Sequence, residues 1–419
     1  MLDSRHRPAA SGPAAPAAAS ADPAFEVRSR SGERLTFGSG APSFIVHVAD
    51  LRFWGALLEG DEYTAGTAFV RGVFDVEGDL LQALRWWRAR PQASSGRERM
   101  LRLLSRVRWD SWFQPVGRAR RNIRFHYDRS NRFYQQFLDS RLVYSCAYFA
   151  DPSWSLDEAQ LAKLDHVCRK LDLAPGDRFL DVGCGWGALV IHASGRYGAE
   201  AVGCTLSAEQ LAFGRDAVRR AGLEGRVRLY DRDYRELDGR FDKIASIGMF
   251  EHVGRRRLRA YFTAIARLLN PDGLFLNHGL IRPSSVHEGG ATVFLQRRVF
   301  PGAELTSLGH VVAEAEAAGF EVIDVENLRP HYALTSAAWI ARLQERRDAC
   351  LSIVDPETYR TWLLYLAGAC IALEQGQMEI HQLLLAKRSL TSARRLSRGY
   401  MYGAGAAPVI RFGPAGPRW

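Results

Sequence analysis

Residues Leu180–Gly187 read LDVGCGWG, and residues Met249–Gly254 read MFEHVG. The first stretch is an apolar strand ending in a glycine-rich turn. Gly183, Gly185 and Gly187 remove side chains where the chain must bend sharply, and they let a ligand lie against backbone N–H groups at a helix start. The second stretch sets a carboxylate, Glu251, beside an imidazole, His252, where a later strand should end. Together they predict a nucleotide-like cofactor held over a small reactive site, at the C-terminal edge of a parallel sheet. A tight turn with no ligand is the plain alternative.

On either side of these motifs, strand and helix patterns alternate as in a parallel-sheet fold. Ser155 followed by Glu158 is a capping-box signature that opens a helix in which Leu161, Leu164, Val167 and Leu171 share a face. Strands are expected at Arg178–Val182, Glu200–Thr205, Arg226–Tyr230, Lys243–Ile247 and Leu274–His278. Helices fit between them at about 187–196, 207–221 and 255–269, and Pro271, Asp272 and Gly273 read as a turn into the last strand. Beyond Pro301 follow a helix near 308–319, a strand at Glu321–Val325 and two long helices, with Met378–Lys387 returning as an edge strand. The fold class is α/β, a doubly wound sheet with a helical cap. Before it, Phe25–Trp87 reads as a small separate β-rich domain, with Phe44, Val46 and Val48 at strand period and a short helix near Asp79–Trp87. The divisions are a flexible tail at 1–24, a small α+β domain at 25–87, a basic linker at 88–121, a catalytic domain at 122–388 and a loose tail at 389–419.

The spacing GxGxG after Asp181 differs from the dinucleotide fingerprint GxGxxG. A carboxylate at Asp181 suits a cofactor that carries an ammonium group, as S-adenosylmethionine does. Many methyltransferases of this fold place an acidic residue at the end of the second strand for the ribose hydroxyls. Here Cys204 and Thr205 stand there, and Gln210 can supply part of the polar contact.

With 419 residues and 47% hydrophobic content, the chain can bury substantial cores, and it has no uninterrupted apolar run long enough for a membrane-spanning helix. Six cysteines without CxxC pairs or clustering with histidine argue against a zinc site or a disulfide framework, and for a reducing cytoplasm. The formal charge of +10 concentrates in Arg85–Arg132, where fourteen arginines face three acids, Glu98, Asp110 and Asp128. Trp86, Trp87, Trp109, Trp112 and Phe113 interleave with them. Met100, Leu101, Leu103, Leu104 and Val107 form an apolar stripe beside Arg99, Arg102, Arg106 and Arg108. Such a helix suits the headgroup layer of an anionic bilayer. The blander reading is an interdomain helix with a solvated basic face. Nucleic acid ranks below both, because no recognisable nucleic-acid module accompanies the charge.

Phe125–Phe149 (FHYDRSNRFYQQFLDSRLVYSCAYF), LDVGCGWG, Gly203–Gln210 (GCTLSAEQ), Ile247–Gly254 (IGMFEHVG) and the strand end at His278 resemble the cyclopropane-fatty-acyl-phospholipid synthases and related mycolic acid methyltransferases. The resemblance runs from about Asn122 to Lys387, with a weaker echo in Ala68–Leu80. It implies a Rossmann-like class I S-adenosylmethionine methyltransferase core, acting on the cis double bond of an unsaturated phospholipid in a membrane. Methyl transfer would be followed by proton loss to a bound bicarbonate and ring closure. The implied catalytic set is Cys146, Glu251, His278 and Tyr332 with a backbone contact from Leu280. The implied cofactor contacts are Tyr144, Ser145, Asp181, Gly183, Gly185, Thr205, Gln210, Asp233, Tyr234 and Ile247. A homodimer, and a cytoplasmic place at the inner membrane surface, are implied as well. Ser130 departs from the usual Gly of HYDxGN, and Arg232 stands where Gln is frequent beside Asp233.

The chemistry makes its own demands on these residues. An isolated alkene is a weak nucleophile, so it must be placed in line with the methyl donor in a dry pocket. The resulting cation needs aromatic faces, for which Tyr144, Tyr148, Phe149, Phe250 and Tyr261 are candidates, and then a weak base. Glu251 and an ionised bicarbonate would repel, so a proton is expected to be shared among them, carried by His278 or by the bicarbonate. In an extended chain Glu251 and His252 point opposite ways, which assigns Glu251 to the pocket and leaves His252 structural. Each residue also has a bland reading: an inert buried thiol for Cys146, a satisfied core histidine for His278, simple packing for Tyr332. Competing functions are methyl or methylene branching, methylation of a soluble small molecule, and a non-catalytic binder.

Overall fold

A computed structural model of the chain describes residues 23–50, 52–59, 62–89, 131–286, 294, 298–299, 304–388, 393–403 and 409–411. The basic helix proposed around Arg99–Arg108 lies outside these residues.

Near the N-terminus, β1 (Phe25–Ser29), β2 (Arg34–Phe37), β3 (Phe44–Val48) and β4 (Phe74–Gly78) form a sheet in the order β2-β1-β3-β4. Asp79 caps the following helix, Leu80–Arg88, by accepting from Gln82 N. This module does not stand apart. Tyr63, Phe69, Val70 and Leu80 belong to the same buried cluster as Trp339 and Trp362 of the two long cap helices, Arg329–Glu345 and Pro356–Glu374. Arg360 reaches back to Asp75 at 2.8 Å, and Arg85 pairs with Glu374 at 2.7 Å.

The main sheet contains β5 (Arg178–Val182), β6 (Glu200–Thr205), β7 (Val227–Asp231), β8 (Phe241–Ile247), β9 (Leu269–Ile281), β10 (Phe320–Asn327) and β11 (Glu379–Lys387), in the order β10-β11-β9-β8-β5-β6-β7. Strands β5 to β9 are parallel, and β11 runs antiparallel to both of its neighbours. The last strand is thus interior, not at the edge as expected, because β10 pairs with its far side, and seven of its nine residues are buried. The expected turn at Pro271–Gly273 is absorbed into β9. Phe241 pairs with Leu269 but Lys243 with Leu274, so the extra residues form an irregularity within a continuing strand.

Ser155 caps the helix Leu156–Lys170 with the full reciprocal box, Ser155 N donating to Glu158 at 2.8 Å. Its apolar face is narrower than expected. Leu164, Val167 and Leu171 are buried, whereas Leu161 is exposed. A second, polar stripe of Gln160, Lys163, His166 and Lys170 is buried as well.

The segment after Arg388, expected to be loose, docks where it is described. Met401 is buried, its carbonyl faces His166 Nδ1 at 3.3 Å, Arg395 pairs with Asp172, and Arg398 pairs with Asp324. Residues Ala393–Arg395 and Val409–Arg411 pair as a short antiparallel ribbon.

Candidate active site

Strand β5 delivers Asp181 to the sheet's C-terminal edge and then turns through Gly183 (φ 83°) and Gly185 (φ 53°), left-handed conformations that disfavour any residue with a side chain. The turn opens one side of a cavity of about 210 Å³. All ten positions expected to contact the cofactor line it: Tyr144, Ser145, Asp181, Gly183, Gly185, Thr205, Gln210, Asp233, Tyr234 and Ile247. Thr205 Oγ1 donates to Gln210 Oε1 at 2.8 Å, which leaves the Gln210 amide nitrogen as the donating end. Both oxygens of Asp233 are taken by Arg235, at 2.7 Å each. That bidentate pair was not foreseen from the sequence, although a basic residue two places after the acid was its signal. Arg232 lines the cavity too.

Burial raises the Asp181 carboxyl to about 7, partly offset by the positive charge of Lys163. No protein hydrogen bond reaches that carboxylate among the described residues, so its charge is offered to the cavity. Lys163, which the helical pattern hides among solvent-type residues, also lines the cavity. His252 does the same, and burial lowers it to about 4. The local backbone is a 3-10 turn at Phe250–His252 rather than extended chain. His252 is therefore part of the cofactor wall, a correction to its structural assignment.

Among the five expected catalytic positions, Cys146, Leu280 and Tyr332 share one small cluster with Tyr148, Leu328 and Ile380. Glu251 joins it through the backbone, its Oε1 accepting from Leu280 N at 2.7 Å. The Leu280 amide is thus engaged with the carboxyl rather than left for an anion. Burial raises Glu251 to about 7, so near neutral pH the carboxyl holds its proton about half the time. His278 is fully buried, pushed well below the usual histidine range by desolvation, and its Nδ1 meets Gln382 Nε2 at 3.2 Å. Desolvation thus favours the neutral form of His278. No hydrogen bond joins His278 to Glu251. Burial pushes the Cys146 thiol up, which makes it a poor nucleophile. Glu251 Oε2 and His278 Nε2 are both buried and meet no hydrogen-bond partner among the described residues.

Trp339 connects the two sets of residues. Its ring lies 5.2 Å from that of Tyr144 in the cofactor wall and 5.9 Å from that of Tyr332 in the catalytic cluster. The wall between the two sets is accordingly aromatic.

The family described as mycolic acid cyclopropane synthetase matches residues 115–383. A probable fatty acid methyltransferase of Pseudomonas putida is 40% identical over 362 residues, covering 83% of this chain and 88% of that protein. Cyclopropane mycolic acid synthase 1 of Mycobacterium tuberculosis (strain H37Rv) is 37% identical over 272 residues, covering 62% of this chain and 95% of that protein. The crystal structure of the mycolic acid cyclopropane synthase CmaA1 complexed with SAH and CTAB superposes with a TM-score of 0.62 at 36% identity, covering 66% of this chain and all of that one.

Proposed function

The chain belongs to the mycolic acid cyclopropane synthetase family and is an S-adenosylmethionine-dependent methyltransferase, and from that premise we propose that it converts the cis double bond of an unsaturated phospholipid acyl chain into a cyclopropane ring. The observation that carries this reading is Glu251, a buried carboxyl raised to about 7 with one oxygen held by Leu280 and the other without a partner.

The cavity residues fit the cofactor: Asp181 would meet its ammonium group, Thr205 and Gln210 would offer polar contacts, and Gly183 and Gly185 would let it approach the backbone. Glu251 Oε2 and His278 Nε2, both buried and without partners among the described residues, would suit a small oxyanion such as bicarbonate, with Leu280 linking Glu251 to the cluster of Cys146 and Tyr332. When bound, these groups supply the electrophilic methyl and the weak base. The chain's residues do the remainder. Neutral His278 and protonated Glu251 donate toward an anion without adding charge to a dry site. Tyr144, Trp339 and Tyr332 present aromatic faces to a cation on the acyl chain and exclude the water that would quench it. Leu280 keeps the Glu251 carboxyl in place through its N–H.

The phospholipid part of the reading is supported by the sequence of the Arg and Trp run from Arg85 to Arg132, which suits an anionic bilayer and a peripheral position at the inner membrane surface. The test is incubation of the protein with methyl-labelled S-adenosylmethionine and vesicles of unsaturated phospholipid, with mass spectrometry of the acyl chains. Gain of one CH₂ per monounsaturated chain, resistant to hydrogenation under alkene conditions but labile to acid, is the expected result. A gain of one CH₂ whose product still takes up hydrogen would assign a methylene branch instead, because loss of the proton then leaves a double bond and no ring. No gain with vesicles, together with turnover of a soluble acceptor, would overturn the lipid reading.

A further inference from the structure

Lys163 sits on the polar stripe of the helix Leu156–Lys170, 2% exposed, in the wall of the cofactor cavity beside Tyr144, Ser145 and Asp181. Its Nζ donates to Ser145 Oγ at 3.1 Å. No described carboxylate comes within salt-bridge distance of it. Asp139, the nearest electrostatic influence, is engaged with the backbone N–H groups of Val143 and Arg141. A desolvated ammonium with a neutral hydroxyl as its partner is costly, and such a group is stable in a folded protein when an anion comes to it. In the same cavity, Asp181 is a carboxylate that accepts no hydrogen bond from the described residues. Two opposite charges, partly offset by each other but not in salt-bridge contact and both facing one cavity, match a zwitterion.

We propose that Lys163 binds the carboxylate of the cofactor's amino-acid tail while Asp181 binds its ammonium group, so that the pair selects a complete methionyl tail. Ser145, bound to Lys163 and lining the same wall, holds the ammonium in position. The assignment rests on the S-adenosylmethionine reading and adds to it a residue and a specificity.

The experiment is titration calorimetry of the full chain and of Lys163→Gln with three ligands: S-adenosylhomocysteine, its decarboxylated counterpart, and 5′-methylthioadenosine, which lacks the amino-acid tail. A charge-assisted contact predicts that the unaltered chain prefers S-adenosylhomocysteine over the decarboxylated ligand by about tenfold or more. Lys163→Gln is expected to lose that preference while binding 5′-methylthioadenosine as before. Equal weakening of all three ligands, or an undiminished preference in the variant, would overturn the assignment. Should the variant fail to fold, the unaltered chain decides: no preference for the carboxylate-bearing ligand rules Lys163 out. Binding of none of the three would overturn the cofactor reading together with it.

Discussion

The amide N–H of Leu280, on β9, donates to Oε1 of Glu251 at 2.7 Å and leaves Oε2 of the same carboxyl buried without a partner among the described residues. One oxygen is thereby fixed by the sheet and the other is available for chemistry. Since burial raises this group from 4.5 to about 7, the fold holds a carboxyl whose proton is exchangeable at neutral pH.

Glu251→Gln keeps the shape and the Leu280 contact but removes the titration. Turnover is expected to fall by at least about a hundredfold, the usual scale for loss of a proton-transfer group, with binding of S-adenosylhomocysteine unchanged. The stability of the unliganded protein should move the other way. A carboxyl raised on folding stabilises below its unfolded value, and that contribution is lost as pH rises through about 7. The variant should therefore be more stable than the parent by about 3 kcal/mol at pH 8 and indistinguishable near pH 4, as read from urea melts. Normal turnover in the variant would assign Glu251 a structural role.

Cofactor affinity should be greatest between the two titrations that face the cavity. Asp181 is raised to about 7 and Lys163 lowered to about 8, both by desolvation, each moderated by the other's charge. Below about 7 the carboxylate that would meet an ammonium gains a proton, and above about 8 the ammonium that would meet a carboxylate loses one. Calorimetry with S-adenosylhomocysteine across this range should give a bell whose limbs belong to the coupled pair. Lys163→Gln should remove the alkaline limb. An affinity that does not change with pH would place neither charge at the ligand.

Gly279 has no side chain because the space is taken. A Cβ there would overlap the ring of Phe250 and stand 2.9 Å from Glu251 Oε1. Gly279→Ala should displace the carboxyl from Leu280, costing at least about tenfold in turnover and about 1–3 kcal/mol in stability by overpacking. Cofactor binding, which does not use Phe250, should be retained. Kinetics and chemical denaturation of the variant check both.

The docked C-terminal segment should contribute to the core. Met401 is 2% exposed in the cluster that includes Leu164 and Val167. Met401→Ala is expected to cost about 2 kcal/mol or more, by the cavity it leaves. A thermal midpoint equal to that of the parent would return this segment to the status of a loose tail.

Short-range signals in the sequence determined the frame. The run Arg178–Val182 appears as β5 with the expected bounds, the capping box at Ser155 and Glu158 is present, and the turn after Asp181 opens the cavity, because strand period, caps and glycine turns are settled by neighbouring residues. The ten positions implied by the family resemblance line that cavity, and it was the likeness of whole motifs rather than strand period or caps that pointed to them. Only the tertiary structure decided which polar groups are buried. Lys163, His166 and Lys170 look like a solvated helix face until the sheet and the docked segment at Met401 cover them. Likewise β11 is interior because β10 supplies a partner on its far side, and His252 enters the cavity because its backbone is a 3-10 turn. The bond from Leu280 to Glu251 joins residues 29 apart on two elements, and Trp339 links Tyr144 to Tyr332 across the cap. Burial raises a pKa or leaves a polar atom unpaired only when distant parts of the chain pack against it, and no local pattern of residues records that packing.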